Sequence, residues 1–446
     1  MQKYLIKNAR IVNEGKVYTA DLLLEGGIIE KIGSRIDPAY GVTEIDAEGQ
    51  YLIPGVIDDQ VHFREPGLTH KATIQTESTA AVAGGVTSFM EMPNTQPPVF
   101  TQELLENKYT IASETSLANY SFFMGTSNEN YDEVMRTNEK KDRVCGIKIF
   151  MGSSTGGLLV DNPLALERIF NNTELLIATH CEDERIIRHN LQELQKSGRT
   201  LTAADHPVIR SAEACFESSF FAIQMAKKFD SRLHILHIST ARELPLFGNM
   251  LPLEEKRITS EVCVHHLHFT ADDYDRLGNL IKCNPAIKAA INRDALWEGL
   301  LDDRLDIIAT DHAPHTRAEK EEDYLHAHAG VPLVQHSLLL MLRYVEAGKI
   351  TIEKVVEKMC HAPATCFRIR NRGFIREGYH ADLVLINPAE TTTVSKKNIY
   401  YKCGWSPFEG EKFPASISHC FVNGHLAYAH GQFDTSRKGQ RLLFNQ

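Results

Sequence analysis

The sequence predicts an α/β protein: a (β/α)8, TIM-like barrel with a small β-sandwich domain formed from both termini. Three observations predict it. Short apolar runs recur eight times through the middle of the chain, each followed by a polar loop. Amphipathic segments fall between them, and strands alternating with helices form a parallel sheet. The two ends of the chain read differently from this middle and resemble each other.

In chain order, the first fifty residues alternate apolar and polar, as in "KYLIKNARIV" and "ADLLLEGGIIEKI", with Gly, Asp and Asn as punctuation. That is the pattern of short antiparallel strands joined by tight turns. The eight runs follow: "LIPGVIDDQVHF", "VTSFMEMPN", "NYSFFMGT", "CGIKIFMG", "LLIATHCED", "RLHILHIST", "ITSEVCVHHL" and "LDIIATDHAP". Segments 70–84, 101–114, 206–229 and 335–347 carry apolar residues at helical spacing. From about Gly373 the alternation returns in "ADLVLINPAE" and "ISHCFVNGHLAY". The expected domains are a discontinuous β-domain, 1–54 plus 374–446, and a barrel over 55–373.

Composition narrows the function class. The 446 residues are 43% hydrophobic, enough for a sizeable core. A net charge of −10 argues against nonspecific nucleic-acid binding, which needs a basic surface. The charges are mixed along the chain, so they do not signal disorder. Nine scattered cysteines without a C-x-x-C pair suit a reducing cytosol. No apolar stretch has the length of a signal-peptide core or a membrane span. The expectation is a cytoplasmic enzyme acting on a small molecule, without nucleic-acid or membrane partners.

His62, Lys148, His180, His237 and Asp311 each lie in or at the end of an apolar run, mostly toward its C-terminal end. In a barrel, strand C-termini converge on the face that carries the active site. Imidazole and carboxylate are good ligands for zinc and similar metals. Each residue alone has a plainer reading. A histidine at a strand end can be a satisfied core or loop residue, Asp311 a helix N-cap, and Lys148 a snorkelling side chain. Joint placement at the ends of separate strands sets the five apart. His326 and His328 form an H-x-H with no apolar strand before them and read as loop residues. His265, His266 and His268 are expected behind the site or outside it. Lys148 in "GIKIF" is the oddest, because burying an unpaired ammonium is costly. A lysine that took up carbon dioxide as a carbamate would become an anion with two oxygens, able to bridge two metals.

These stretches, together with "DDQVHFREPGLTHK", "GGVTSFMEMPNTQPP", "GIKIFMGSSTG", "ATHCED", "KCNPAIK" and "IATDHAPHT", resemble the dihydroorotases of the amidohydrolase superfamily nearly end to end. The resemblance implies two zinc ions. His62 and Asp311 would hold the first, His180 and His237 the second, and carbamylated Lys148 would bridge them. Asp311 would be the catalytic proton carrier. The implied reaction is reversible hydrolysis of the cyclic amide of (S)-dihydroorotate to N-carbamoyl-L-aspartate, in de novo pyrimidine biosynthesis. Arg64, Asn94 and His315 match positions that hold the substrate carboxylate, which suits a planar guanidinium. Backbone groups at Ala329 and Gly330, and Asn284, match positions near the ring. Lys288 stands where arginine is frequent in the family.

Gln60 departs from the family's H-x-H. An amide oxygen is a weaker zinc ligand than imidazole. Gln60 could ligate, stand aside for water, or leave the first metal too weak for activity. The last outcome would group the chain with silent relatives that scaffold a carbamoyltransferase. Retention of Lys148, His180, His237, Asp311 and Arg64 favours an active enzyme. The other alternative is an allantoinase or hydantoinase, whose substrates lack the carboxylate that Arg64 would read. A homodimer is open to the chain, and the sequence does not fix it.

Overall fold

The computed structural model describes residues 2–37, 40–152 and 157–445; the tail of the run "GIKIFMGSSTG", at 153–156, lies outside them. All eight apolar runs contain strands. They are β1 (Val56–Val61), β2 (Val86–Glu91), β3 (Asn119–Phe122 and Met124–Gly125, on either side of Phe123), β4 (Ile147–Phe150), β5 (Ile177–His180), β6 (Leu233–Ile235), β7 (Ile258–Cys263) and β8 (Ile307–Ala309). Each pairs in parallel with the next. The last meets the first through one parallel bridge, Val61 with His312, where the His62 N–H donates to the His312 carbonyl at 2.7 Å.

Helices Ile74–Ala83, Gln102–Thr115, Ala212–Phe229 and Ser337–Glu346 occupy the expected segments. Thr73, Thr101 and Ser211 cap the first three, their hydroxyls accepting from first-turn N–H groups that would otherwise lack partners. Between β6 and β7 the described chain makes only two short 3₁₀ turns, Leu244–Leu246 and Leu253–Glu255. Pro245, Gly248 and Pro252 account for the missing helix. No helix among the described residues is long and apolar enough to cross a membrane.

Strands from both ends of the chain join in one nine-stranded sheet. Tyr51–Pro54 links its halves, pairing with Lys3–Asn13 on one side and Leu383–Asn387 on the other. The N-terminal strands are not all antiparallel as expected: Val42–Asp46 and Tyr51–Pro54 run parallel to Lys3–Asn13. Alternation reports which face is buried and is silent on strand direction. Gly55 then passes the chain from this sheet into β1. A Cβ there would come within 2.0 Å of the Thr87 hydroxyl, so the close approach requires glycine.

The C-terminal region also touches the barrel. Trp405 Nε1 donates to the His315 carbonyl at 2.8 Å, and Leu442 and Phe444 belong to an apolar cluster with Met90, Leu176 and Phe367.

Candidate active site

The C-terminal ends of the barrel strands surround a cavity of about 310 Å³. Gln60 and His62 reach it from β1, Lys148 from β4, and His180 from β5. His237 follows β6 and Asp311 follows β8. Arg64, Asn94, Asn284, His315, Ala329 and Gly330 complete the set singled out from the sequence, and all of them line this cavity. Arg64, His237 and Asp311 have φ of 70°, 41° and 48°. Non-glycine residues rarely adopt such values, and they concentrate at functional sites. Asp311 is not an N-cap, because Thr316 caps the helix that follows, Arg317–Lys320.

Hydrogen bonds orient the imidazoles. His62 Nδ1 lies 2.7 Å from Asn94 Oδ1, an acceptor, so Nδ1 carries the proton. The lone pair of Nε2 then faces Asp311 Oδ1 at 3.0 Å. His180 donates from Nε2 to Glu182 Oε2 at 2.9 Å, which turns its Nδ1 toward His237 Nε2 at 3.0 Å. His237 Nδ1 is buried and has no hydrogen bond among the described residues. Burial lowers the pKa of all three rings and favours the neutral form that ligates metals. Burial alone would raise the Glu182 carboxyl, but Arg210 and His180 pull it down to about 2. Two pairs of convergent lone-pair donors, each about one ligand spacing apart, fit a pair of divalent metal ions.

Lys148 is 1% exposed. Its ammonium lies 4.5 Å from the centre of the Phe150 ring and has no carboxylate within ion-pair distance among the described residues. Burial pushes its pKa down to about 7, against the pull of Glu261 and Asp311. Burial thus favours the neutral amine, the form that adds to carbon dioxide. Gln60, also buried, sets its Oε1 3.7 Å from Cys263 Sγ.

Across the cavity, Arg64 donates from Nε to the Pro314 carbonyl at 3.1 Å. Its Nη2 meets His315 Nε2, also at 3.1 Å. The Lys71 ammonium, a pure donor, lies 3.0 Å from His315 Nδ1, so Nδ1 accepts. His315 Nε2 then carries the proton and donates to the Ala329 carbonyl at 3.1 Å. Arg64 Nη2 therefore faces another donor. Arg64 is 6% exposed, and its guanidinium has no carboxylate partner among the described residues. It is short of an acceptor. Asn94 gives its oxygen to His62, leaving its amide N–H groups for the cavity.

Sequence reasoning missed Lys71, although it closes the quoted stretch "DDQVHFREPGLTHK"; it sits in a loop beyond β1, where strand position gives no signal. Lys71 is anchored by Glu319 at 2.8 Å. His328 does lie in a loop, but it also lines the cavity and stacks on His315, with centroids 4.8 Å apart. An H-x-H outside a strand gives no sign of that. His326 is exposed and paired with Asp323. His265 and His266 are buried on the short helix Val264–His268, and neither lines the cavity. Lys288 is held by Ser239 Oγ and the Ala286 carbonyl, both at 3.1 Å.

Residues 51–427 match the model of the amidohydrolase family. The chain is 33% identical to a dihydroorotase of Methanosphaera stadtmanae over 437 residues, covering 96% of each chain. It is 31% identical to an allantoinase of Solibacter usitatus, covering 99% of this chain and 97% of that one. Among solved structures, the L-hydantoinase (dihydropyrimidinase) of Arthrobacter aurescens matches with a TM-score of 0.93 at 26% identity, covering 99% of this chain and 100% of that one.

Proposed function

This chain belongs to the amidohydrolase family, and we propose that it is a dihydroorotase, opening the ring amide of (S)-dihydroorotate to N-carbamoyl-L-aspartate and closing it in reverse. Such a reaction belongs to de novo pyrimidine synthesis. The family relatives act on cyclic amides, and the site has the donors that chemistry needs. His62, Asp311 and a carbamylated Lys148 would hold one zinc ion, and His180, His237 and the same carbamate the other. Together the two ions would polarise the scissile carbonyl and make water nucleophilic near neutral pH.

The protein groups do the rest. The Lys148 ammonium loses one proton to give the amine, and the amine would add carbon dioxide with loss of a second, so that a buried cation gives way to an anion with two oxygens able to hold two ions. Asn94 fixes the His62 tautomer, and Glu182 fixes that of His180. Asp311 accepts the proton of the attacking water and delivers it to the ring nitrogen as the C–N bond breaks. The water oxygen ends in the new carboxylate. Arg64 binds the existing carboxylate of the substrate, with Asn94 and His315 beside it. Asn284 and the backbone at Ala329 and Gly330 bound the ring.

One observation carries the choice of substrate: the buried Arg64 guanidinium lines the cavity with no carboxylate partner among the described residues, its Nε alone taken by the Pro314 carbonyl. A buried charge needs a partner, and dihydroorotate supplies a carboxylate where allantoin and hydantoin do not. The second reading, an allantoinase or hydantoinase, is favoured by allantoinases at 31% and 30% identity and by the fold likeness to an L-hydantoinase at 26%. The silent-scaffold alternative gains nothing from a site that keeps Lys148, His180, His237, Asp311 and Arg64 on one cavity. Turnover of dihydroorotate, allantoin and hydantoin by metal-replete protein tests the choice. Faster turnover of allantoin or hydantoin would replace this reading with the second.

A further inference from the structure

Three residues on the cavity wall, Arg64, His237 and Asp311, hold their backbones in the left-handed region, which residues other than glycine adopt only where the surroundings enforce it. Those surroundings repeat. Each of the three follows the end of a barrel strand, and a buried carboxylate accepts a backbone N–H at that residue or the one before it. Glu91 Oε1 takes the Phe63 N–H at 2.8 Å, and Glu261 Oε1 takes the His237 N–H at 3.0 Å. Asp58 Oδ1 takes the Thr310 N–H at 3.2 Å, and its Oδ2 takes the Thr310 hydroxyl at 2.6 Å. None of the three carboxylates is more than 2% exposed. In every case the carboxylate stands on the next strand around the barrel. β2 serves the end of β1, β7 that of β6, and β1 that of β8.

A carboxylate suits this task. Where the chain turns out of the sheet, its N–H groups lose their ladder partners and must find others. A charge-assisted hydrogen bond is shorter and stronger than a neutral one. At Glu91 the cost of burying the charge is offset by Lys108, on the helix Gln102–Thr115, whose Nζ lies 2.8 Å from Glu91 Oε2. Lys108 also donates to the Met92 carbonyl at 3.2 Å and stands 4.8 Å from the centre of the Phe122 ring. Both partners are 0% exposed, and neither lines the cavity. His62 has supports of its own, since its N–H goes to the His312 carbonyl and its ring to Asn94. The Phe63 N–H is the next backbone group, and fixing it sets the direction in which the chain enters Arg64.

We infer that Glu91, held by Lys108, is a positioning residue that aims Arg64 into the cavity and thereby sets the preference for a substrate bearing a carboxylate. This rests on the reading of Arg64 given above. Neither Glu91 nor Lys108 touches the substrate, and both act through the backbone of Phe63.

Two double variants of the full-length protein, loaded with zinc in bicarbonate, test it. The readout is kcat/KM on dihydroorotate divided by kcat/KM on dihydrouracil, the same ring without the carboxylate. Glu91→Met/Lys108→Met removes the acceptor and the ion pair together, and apolar side chains of similar volume can replace a buried ion pair without loss of the fold. Glu91→Gln/Lys108→Met also removes both charges but keeps a carbonyl oxygen for the Phe63 N–H. The first should lower the ratio by about tenfold or more, through a raised KM for dihydroorotate. Its metal content and its turnover of dihydrouracil should stay close to those of the wild type. The second should hold the ratio within about threefold of the wild type. An unchanged ratio in the first variant, an equal fall on both substrates, or as large a fall in the second would overturn the inference alone. A wild-type ratio near unity would overturn the carboxylate reading and the inference with it. Should Glu91→Met/Lys108→Met fail to fold, Glu91→Leu/Lys108→Leu takes its place with the same expectation.

Discussion

His180 and His237 meet at 3.0 Å, and each is held by a buried carboxylate. Glu182, itself paired with Arg210, takes the His180 ring N–H, and Glu261 Oε1 takes the His237 backbone N–H at 3.0 Å. On the opposite wall, His62 and Asp311 also meet at 3.0 Å, but Gln60 stands where a second imidazole would be expected, its Oε1 3.7 Å from Cys263 Sγ. One half of the site thus sets two imidazoles together, with the Glu182–Arg210 pair behind one of them, and the other sets an imidazole and a carboxylate together beside the Gln60 amide. Strand register fixes where donors point, so a barrel can alter one donor without moving its neighbours.

Breaking what the halves share should have the largest effect. Lys148→Ala should release both ions and lower turnover by about a thousandfold or more, about 4 kcal/mol of transition-state stabilisation. Short carboxylic acids should restore part of the activity by supplying a bridge. Elemental analysis together with turnover measures this, and retention of both ions would show that Lys148 is not the bridge.

Changes confined to one half should be smaller and one-sided. Glu182→Gln removes the carboxylate behind His180 and should weaken the second ion by about 10- to 100-fold. Competition with a chelator reads this directly, and equal weakening of both ions would erase the distinction between the halves. Gln60→His puts imidazole in place of amide and should tighten the first ion, by about tenfold. Turnover need not rise, because the surroundings are fitted to glutamine. An unchanged first-ion affinity would mean that the amide is no weaker a donor than imidazole in this site.

The smallest effect concerns the substrate side in metal-free protein. His206 accepts from Tyr324 and contacts the Cys283 carbonyl and Asn284, and burial lowers its pKa to about 3. Its folded value lies below the unfolded value of about 6.5. The stability it contributes is therefore complete above that value and is lost progressively as pH falls toward 3. Chemical denaturation across this range should show the loss, and His206→Asn should flatten it. Equal slopes in both proteins would remove His206 from the account.

Much of this site was legible in sequence because period and position carry it. The eight runs marked the strands, and polar residues at their ends marked the cavity wall. Other features depend on contacts between distant segments. Lys71 ends a quoted motif, but strand period does not reach into its loop to announce that it will meet His315, and a histidine in a polar loop gives no sign that it will stack there, as His328 does. Asn94 was expected beside the substrate carboxylate, yet its oxygen is committed to His62. Parallel pairing of Val42–Asp46 and Tyr51–Pro54 was hidden for a similar reason: alternation encodes burial and leaves direction to the connections.

The central claim is that this cavity reads a carboxylate through Arg64, and dihydrouracil tests it, being dihydroorotate without that group. The account predicts that metal-replete wild type prefers dihydroorotate in kcat/KM by about 2–4 kcal/mol, roughly 30- to 1,000-fold. Arg64→Met should collapse the ratio toward unity while both metals stay bound. Equal kcat/KM on the two substrates in the wild type, or a preference that survives Arg64→Met, would contradict it.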